Sequence, residues 1–146
     1  MFFGNHPAKI DDKGRLKIPG GFRSNLEKEY GSDVFVTSVT GQSVRIYPMP
    51  VWLALGQKMA ALGSEHPSRR RFFNRVNYYG QTAQIDAQGR VVIHQRLRES
   101  AGINGEVDVL GKHDMLEVWN SERFLAMLDN DPYTDEDAKI IGDLGI

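Results

Sequence analysis

"IDDKGRLKIPGGFR", residues 10–23, reads as a strand, a tight turn around Gly14 and a second strand, with more charge in the turn than a hairpin requires. The chain repeats itself 75 residues later as "IDAQGRVVIHQRLR", residues 85–98. At that offset Ile10, Asp11, Gly14, Arg15, Ile18 and Arg23 meet the identical Ile85, Asp86, Gly89, Arg90, Ile93 and Arg98. Leu16 and Val91, and Phe22 and Leu97, keep apolar character. The match resumes at an offset of 72, where "VRIYPMPVW" (residues 44–52) aligns with "LEVWNSERF" (residues 116–124). Two copies of one supersecondary unit account for the pattern.

Each copy reads as strand, turn, strand, short helix, strand, turn, strand and closing helix, which makes the fold α+β and mainly β. In the first copy "HPAKI" and "RLKIP" flank the turn, Pro19 stops the second strand, and "GGFRSNLEKEYG" carries Phe22 and Leu26 at helical spacing before Gly31. "DVFVTSV" and "SVRIY" form a second hairpin rich in β-branched and aromatic residues. The second copy repeats this with "AQI", "RVVIH", the helix "QRLRESAG", "EVDVL" and "MLEVW". Between the copies a helix enters at Pro48–Pro50 with Trp52, Leu55, Met59 and Leu62 on one stripe, which suits packing. A further helix starts at Ser68 as N-cap and surrounds Phe72, Phe73 and Val76 with Arg69, Arg70, Arg71 and Arg75. For that arginine cluster solvation or ion pairing, subunit contact and nucleic-acid contact all stay open. Beyond the last helix, "DNDPYTDEDAKIIGDLGI" reads as a mobile acidic tail.

The net charge of −1 conceals an asymmetry. Residues 1–100 hold 15 of the 18 Lys and Arg but 8 of the 19 Asp and Glu, a surplus of seven positive charges. The remainder sets 3 basic against 11 acidic residues, a surplus of eight negative charges. A basic body of this size suits a polyanion, of which nucleic acid is the commonest. With no cysteine there is no disulfide, thiol nucleophile or cysteine-ligated metal, as fits a reducing cytoplasm. No signal peptide or membrane-spanning run is apparent, so a soluble, untargeted protein is expected.

The search for catalytic chemistry finds no coherent set. His6, His66, His94 and His113 lack both the i, i+4 spacing of a helical zinc site and a neighbouring nucleophilic serine. "GEVDVLGKH", residues 105–113, has five residues between its glycines where a phosphate loop has four, and His113 where Ser or Thr would hold magnesium. "DNDPYTDEDAKI" opens like a calcium loop but places Thr134 at the obligatory glycine and Ile140 at the bidentate glutamate. No catalytic residue, cofactor site or metal site is assigned, and the chain reads as no enzyme.

The turn itself carries the functional reading. Gly14 and Gly89 supply positive φ, and Asp11 can accept backbone N–H groups while Arg15 returns beside its carboxylate. Asp11, Gly14, Asp86 and Gly89 are therefore assigned to stabilising the turns. Lys9, Lys13, Arg15, Lys17 and Arg23 present five cations from one hairpin and its following helix, enough to straddle a phosphate backbone. The second copy keeps Arg90 but has Gln88 for Lys13 and Val92 for Lys17, so the first copy is the stronger candidate for DNA contact.

"MFFGNHPAKIDDKGRLKIP", the paired DxxxR motifs (Asp11 to Arg15, Asp86 to Arg90) and "VRIYP" before a Trp-bearing helix resemble the MraZ family of bacterial DNA-binding transcriptional regulators over residues 1 to 128. The resemblance implies two SpoVT/AbrB-like repeats of swapped-hairpin type with pseudo-twofold symmetry and connecting helices. It divides the chain into a first repeat at 1–52, a helical connection at 53–80, a second repeat at 81–128 and an acidic C-terminal tail at 129–146. It also implies a ring-shaped homo-oligomer, cytoplasmic and nucleoid-associated, that binds repeated promoter boxes in double-stranded DNA. The implied role is repression of the division and cell-wall gene cluster, including the regulator's own promoter. Lys13, Gly14, Arg15 and Arg90 occupy the family's DNA-contact positions; with Lys9, Lys17 and Arg23 they form the expected DNA-binding set. The rival reading is an oligomeric protein-interaction scaffold with incidental DNA binding.

Overall fold

Proline and glycine set the ends of the elements in the computed structural model, which describes residues 1–146. The first hairpin pairs β1 (Asn5–Ile10) with β2 (Arg15–Lys17) and passes through Pro19 into α1 (Gly20–Glu29). Then come β3 (Asp33–Thr37), β4 (Val44–Pro48) and α2 (Met49–Met59), whose first turn accepts Pro50 because no N–H is needed there. Helix α3 (Pro67–Tyr79) leads to the second copy: β5 (Gln81–Gln84), β6 (Arg90–Val92), α4 (Gln95–Ala101), β7 (Gly105–Gly111), β8 (Leu116–Asn120) and α5 (Ser121–Asn130). Gly102 ends α4 in the left-handed conformation, at φ 66°.

All eight strands form one antiparallel sheet in the order β5-β3-β4-β8-β7-β1-β2-β6. The Asp86–Arg90 turn joins the two ends of that order, so the sheet is nearly closed into a barrel. The two copies interleave: β1 pairs with β7 and β5 with β3, so each copy's opening hairpin completes the other copy's sheet. The registers carry the pseudo-twofold. Arg15 faces Val92 and Lys17 faces Arg90, pairs that exchange under the 75-residue offset, with Leu16 opposite Val91 on the axis. At the far wall Val44 faces Val118 and Ile46 faces Leu116, which exchange under the 72-residue offset about Arg45 opposite Glu117.

Strand alternation sends one face of every strand into a shared core that includes Phe2, Leu16, Ile18, Leu26, Val91, Ile93 and Leu97, all nearly fully buried. The connecting helices are held differently: Trp52 of α2 stacks on Phe35 at 4.4 Å and faces Phe72 of α3 at 6.4 Å.

Two elements differ from the sequence expectation. Helix α3 begins at Pro67 and not at Ser68: the N-cap is His66, whose Nδ1 accepts the Ser68 N–H at 3.1 Å. Proline at the first helical position forgoes an N–H that would be unsatisfied anyway. The acidic tail contains α6 (Asp135–Gly142), started by a reciprocal capping box in which the Thr134 side chain accepts from Asp137 N–H and the Asp137 carboxylate accepts from Thr134 N–H. Its first-turn Asp135, Glu136 and Asp137 also favour the positive helix N-terminus, so the acid supports local helix instead of dissolving it.

Because Leu16 sits on the axis where the copies join, its truncation acts on both. Leu16→Ala is expected to cost about 2–5 kcal/mol, read as a lowered urea midpoint with an unchanged m-value.

Candidate nucleic-acid interface

Each turn is closed by one carboxylate. Asp11 Oδ1 accepts the N–H groups of Lys13 (3.0 Å) and Arg15 (2.9 Å), and Oδ2 accepts Arg15 Nε at 2.7 Å. Asp86 repeats this with the N–H groups of Gln88 and Arg90 (both 2.9 Å) and with Arg90 Nε at 3.1 Å. The glycine that follows takes a φ of 82° at Gly14 and 77° at Gly89, a region costly for other residues. Both carboxyls are held below the ordinary aspartate range, chiefly by the backbone N–H of Arg15 for Asp11 and of Arg90 for Asp86. Partial desolvation opposes this, while the guanidinium hydrogen bond and charge reinforce it.

The latch occupies only Nε of each arginine. The terminal nitrogens keep their N–H donors, and fixing Nε against the carboxylate restricts the side chain in advance of any ligand.

The β2–β6 pairing then merges the two hairpins into one patch. With Leu16 and Val91 pointing into the core, Arg15, Lys17, Arg90 and Val92 all face outward. The β1–β2 register that sets Ile10 against Leu16 also sets Lys9 opposite Lys17, and Lys17 is itself opposite Arg90. Three cations from three adjacent strands thus form a row spanning about 10 Å at the usual strand spacing. Lys13 stands exposed in the first turn. Arg90 belongs to this row, whereas the second turn supplies Gln88 where the first has Lys13.

Other residues are placed differently. Arg23 lies on α1, donates Nε to Glu27 at 3.0 Å and reaches the second turn with Nη2 on the Ala87 carbonyl at 2.8 Å. Lys9 has Glu106 of β7 as its other cross-strand neighbour, which offsets part of its charge. The arginines of α3 belong to a helix seated on β3 by Val76, whose carbonyl accepts Thr37 Oγ1 at 2.7 Å. Arg69 donates there to the Leu62 carbonyl and lies over the Phe73 ring.

Val92 was not singled out from sequence, yet it is 52% exposed directly opposite Arg15. Its signal was the alternation of β6, with Val91 inward and its neighbours outward. No three His, Asp or Glu side chains converge as metal ligands, and no helix is long and apolar enough to cross a membrane.

The comparisons with known proteins are consistent along the chain. A family model described as "MraZ protein, putative antitoxin-like" matches residues 1–75 and again 80–143, one match per copy. The chain is 44% identical over 146 residues to the transcriptional regulator MraZ of Acidobacterium capsulatum, covering 100% of both chains. It is 47% identical over 147 residues to that of Koribacter versatilis, again with 100% of each covered. With the regulator of the same name from Herpetosiphon aurantiacus it shares 35% identity over 131 residues, 89% of this chain and 88% of that one.

The depressed carboxyls set a sign. A carboxyl whose pKa falls on folding contributes stability at pH values above its unfolded pKa, and loses it as pH drops through the folded value. The contribution of Asp11 and Asp86 is therefore constant from about pH 8 to 5 and declines only below about pH 4. The double variant Asp11→Asn/Asp86→Asn should show a smaller fall in urea midpoint between about pH 5 and 3 than the parent protein, with parallel behaviour above pH 5.

Proposed function

The chain belongs to the MraZ family, and on that premise we propose that it is a transcriptional regulator that binds double-stranded DNA in a sequence-specific manner and acts as a repressor. The observation that carries this reading is the outward patch on β2 and β6, where Lys9, Lys17 and Arg90 form a row beside the latched Arg15. A row of about 10 Å is comparable with the major groove, whose width is about 12 Å. Lys13, Lys17 and Lys9 neutralise phosphates, while the free terminal nitrogens of Arg15 suit the O6 and N7 acceptors of guanine. Gly14 is buried and serves the turn through its positive φ and the room it leaves for Arg98, not as a DNA contact, whereas Val92 offers apolar contact to a thymine methyl. Arg90 joins as a phosphate contact from the second copy, and Arg23 holds the second turn in place.

One such patch per chain makes few contacts. In an oligomer, with a ring as the family resemblance implies, linked patches meeting repeated promoter boxes raise apparent affinity by roughly 10²–10⁴. The targets on this reading are the division and cell-wall gene cluster and the regulator's own promoter, reached in the cytoplasm at the nucleoid. The chemistry is binding and not catalysis.

Gel shifts with tiled upstream fragments, repeated across salt concentrations, test this directly. Log K is expected to fall linearly with log salt; a flat plot removes phosphate contact from the account. Lys17→Ala should weaken binding to all sequences alike and reduce the salt slope by about one. Arg15→Ala should abolish most of the preference for the cognate box, a loss of about 1–3 kcal/mol, once circular dichroism has shown the variant folded and its oligomer intact.

A further inference from the structure

The two turns build each other. The Gly14 carbonyl accepts the Ile93 N–H at 2.8 Å, and the Gly89 carbonyl accepts the Ile18 N–H at 2.9 Å, so each turn anchors the strand end of the other copy. Over these bonds, helix arginines cross between copies. Arg23 of α1 reaches the second turn, and a Cβ placed on Gly89 would lie 2.7 Å from its Cδ and 2.9 Å from its Nε. Arg98 of α4, its counterpart 75 residues on, covers the first turn: a Cβ on Gly14 would lie 2.6 Å from Nη1 and 2.9 Å from Cζ. Both glycines thus meet a second requirement beyond positive φ, because an arginine side chain from the opposite copy, joined at Gly14 by the Ile93 carbonyl at 2.6 Å, occupies the space a side chain would need.

Arg98 is placed without the obvious return of an ion pair. Its Nε is buried with no hydrogen-bond partner, and it forms none of the salt bridges of the chain. It lines one cleft with Asp11 and Asp12, the residues that open the first turn. A buried guanidinium nitrogen without a partner is costly, and what it obtains here is contact with the backbone of the turn that carries Lys13 and Arg15.

We propose that Arg98 is a positioning residue for DNA recognition: it holds the Lys13–Gly14–Arg15 turn at its reading angle, so the second copy contributes to specificity through the first. On this proposal Arg98 acts through its packing on Gly14 and not as a phosphate contact. The proposal rests on the reading of the patch as a DNA interface and goes beyond it, since Arg98 belongs to neither turn.

The test compares Arg98→Met and Arg98→Lys with the parent protein and Lys17→Ala. Affinity for the cognate upstream duplex and for an unrelated duplex is measured across salt, alongside the urea midpoint. Both Arg98 variants should lose roughly tenfold or more of the cognate preference while affinity for unrelated DNA and the salt slope stay at the parent values. Arg98→Lys keeps the charge but lacks the planar guanidinium that lies against Gly14, so it guards against a loss caused by charge alone. Full cognate preference in Arg98→Lys overturns the proposal. A salt slope reduced by about one in Arg98→Met also overturns it, by making Arg98 a phosphate contact. If the urea midpoint and both affinities fall together in both variants, Arg98 is structural only and the proposal fails. Absence of cognate binding by the parent protein defeats the DNA reading and takes the proposal with it; loss of preference confined to the Arg98 variants leaves the DNA reading intact and supports the proposal.

Discussion

The antiparallel pairing of β2 with β6 is the contact on which the rest of this structure depends. It is only three residues long, yet it joins the copies at the pseudo-twofold axis, with Leu16 and Val91 sealed inside. Without it the β1–β2 and β5–β6 hairpins would each expose a strand edge and the sheet would stay open at both ends. The same register decides which side chains emerge. Inward Leu16 and Val91 oblige Arg15, Lys17, Arg90 and Val92 to face outward together, so the closure of the barrel and the assembly of the cationic row are one event. A slip of one residue would bury the cations and expose the core positions, which ties the surface chemistry to the stability of the fold.

The aspartates resolve an apparent conflict in this patch. An acidic residue among cations would ordinarily weaken attraction for a polyanion. Here the Asp11 carboxylate is consumed by two backbone N–H groups and by Arg15 Nε, so its charge is largely answered within the turn. In exchange, Arg15 is held in one orientation with its terminal nitrogens free. A pre-oriented guanidinium loses less side-chain entropy on binding than a free one. Arg15 therefore serves the latch through one nitrogen, and the DNA contact proposed for it would use the others, so the two roles do not compete for the same atoms.

The hairpins were legible in the sequence because their determinants are local. Asp, Gly and Arg at fixed spacing, followed by alternating apolar residues, specify a turn and two short strands, and recurrence at 75 residues marks the residues that the turn itself uses. Which hairpins pair was not legible, because the Leu16–Val91 contact spans the two copies and no nearby residue records it. Exposure of Val92 and placement of Arg98 over Gly14 follow only once that pairing exists. The N-cap of α3 was missed by two residues because histidine is an uncommon N-cap, although Pro67 marked the first helical position. The helix after residue 134 was missed for another reason. Its acidic composition argued for disorder on average, while Thr134 and Asp137, three apart, form the local capping box that starts it.

The distribution of charge follows from the same axis. It passes between β2 and β6 on one wall and between β4 and β8 on the other, so these pairs lie on opposite sides of the barrel. The outward row of Lys9, Lys17 and Arg90 lies on the first wall, whereas the arginines of α3 sit against β3, α5 packs on β8 and β7, and the acidic α6 follows α5 in the chain. Facing walls of a filled sheet structure are about 10 Å apart, which exceeds the screening length of about 8 Å at physiological salt. Exposed acid on α5, such as Glu122, therefore subtracts little from the potential at the β2–β6 wall. A chain with a net charge of −1 presents a locally positive row because the β1–β2–β6 register gathers Lys9, Lys17 and Arg90 on one outward face.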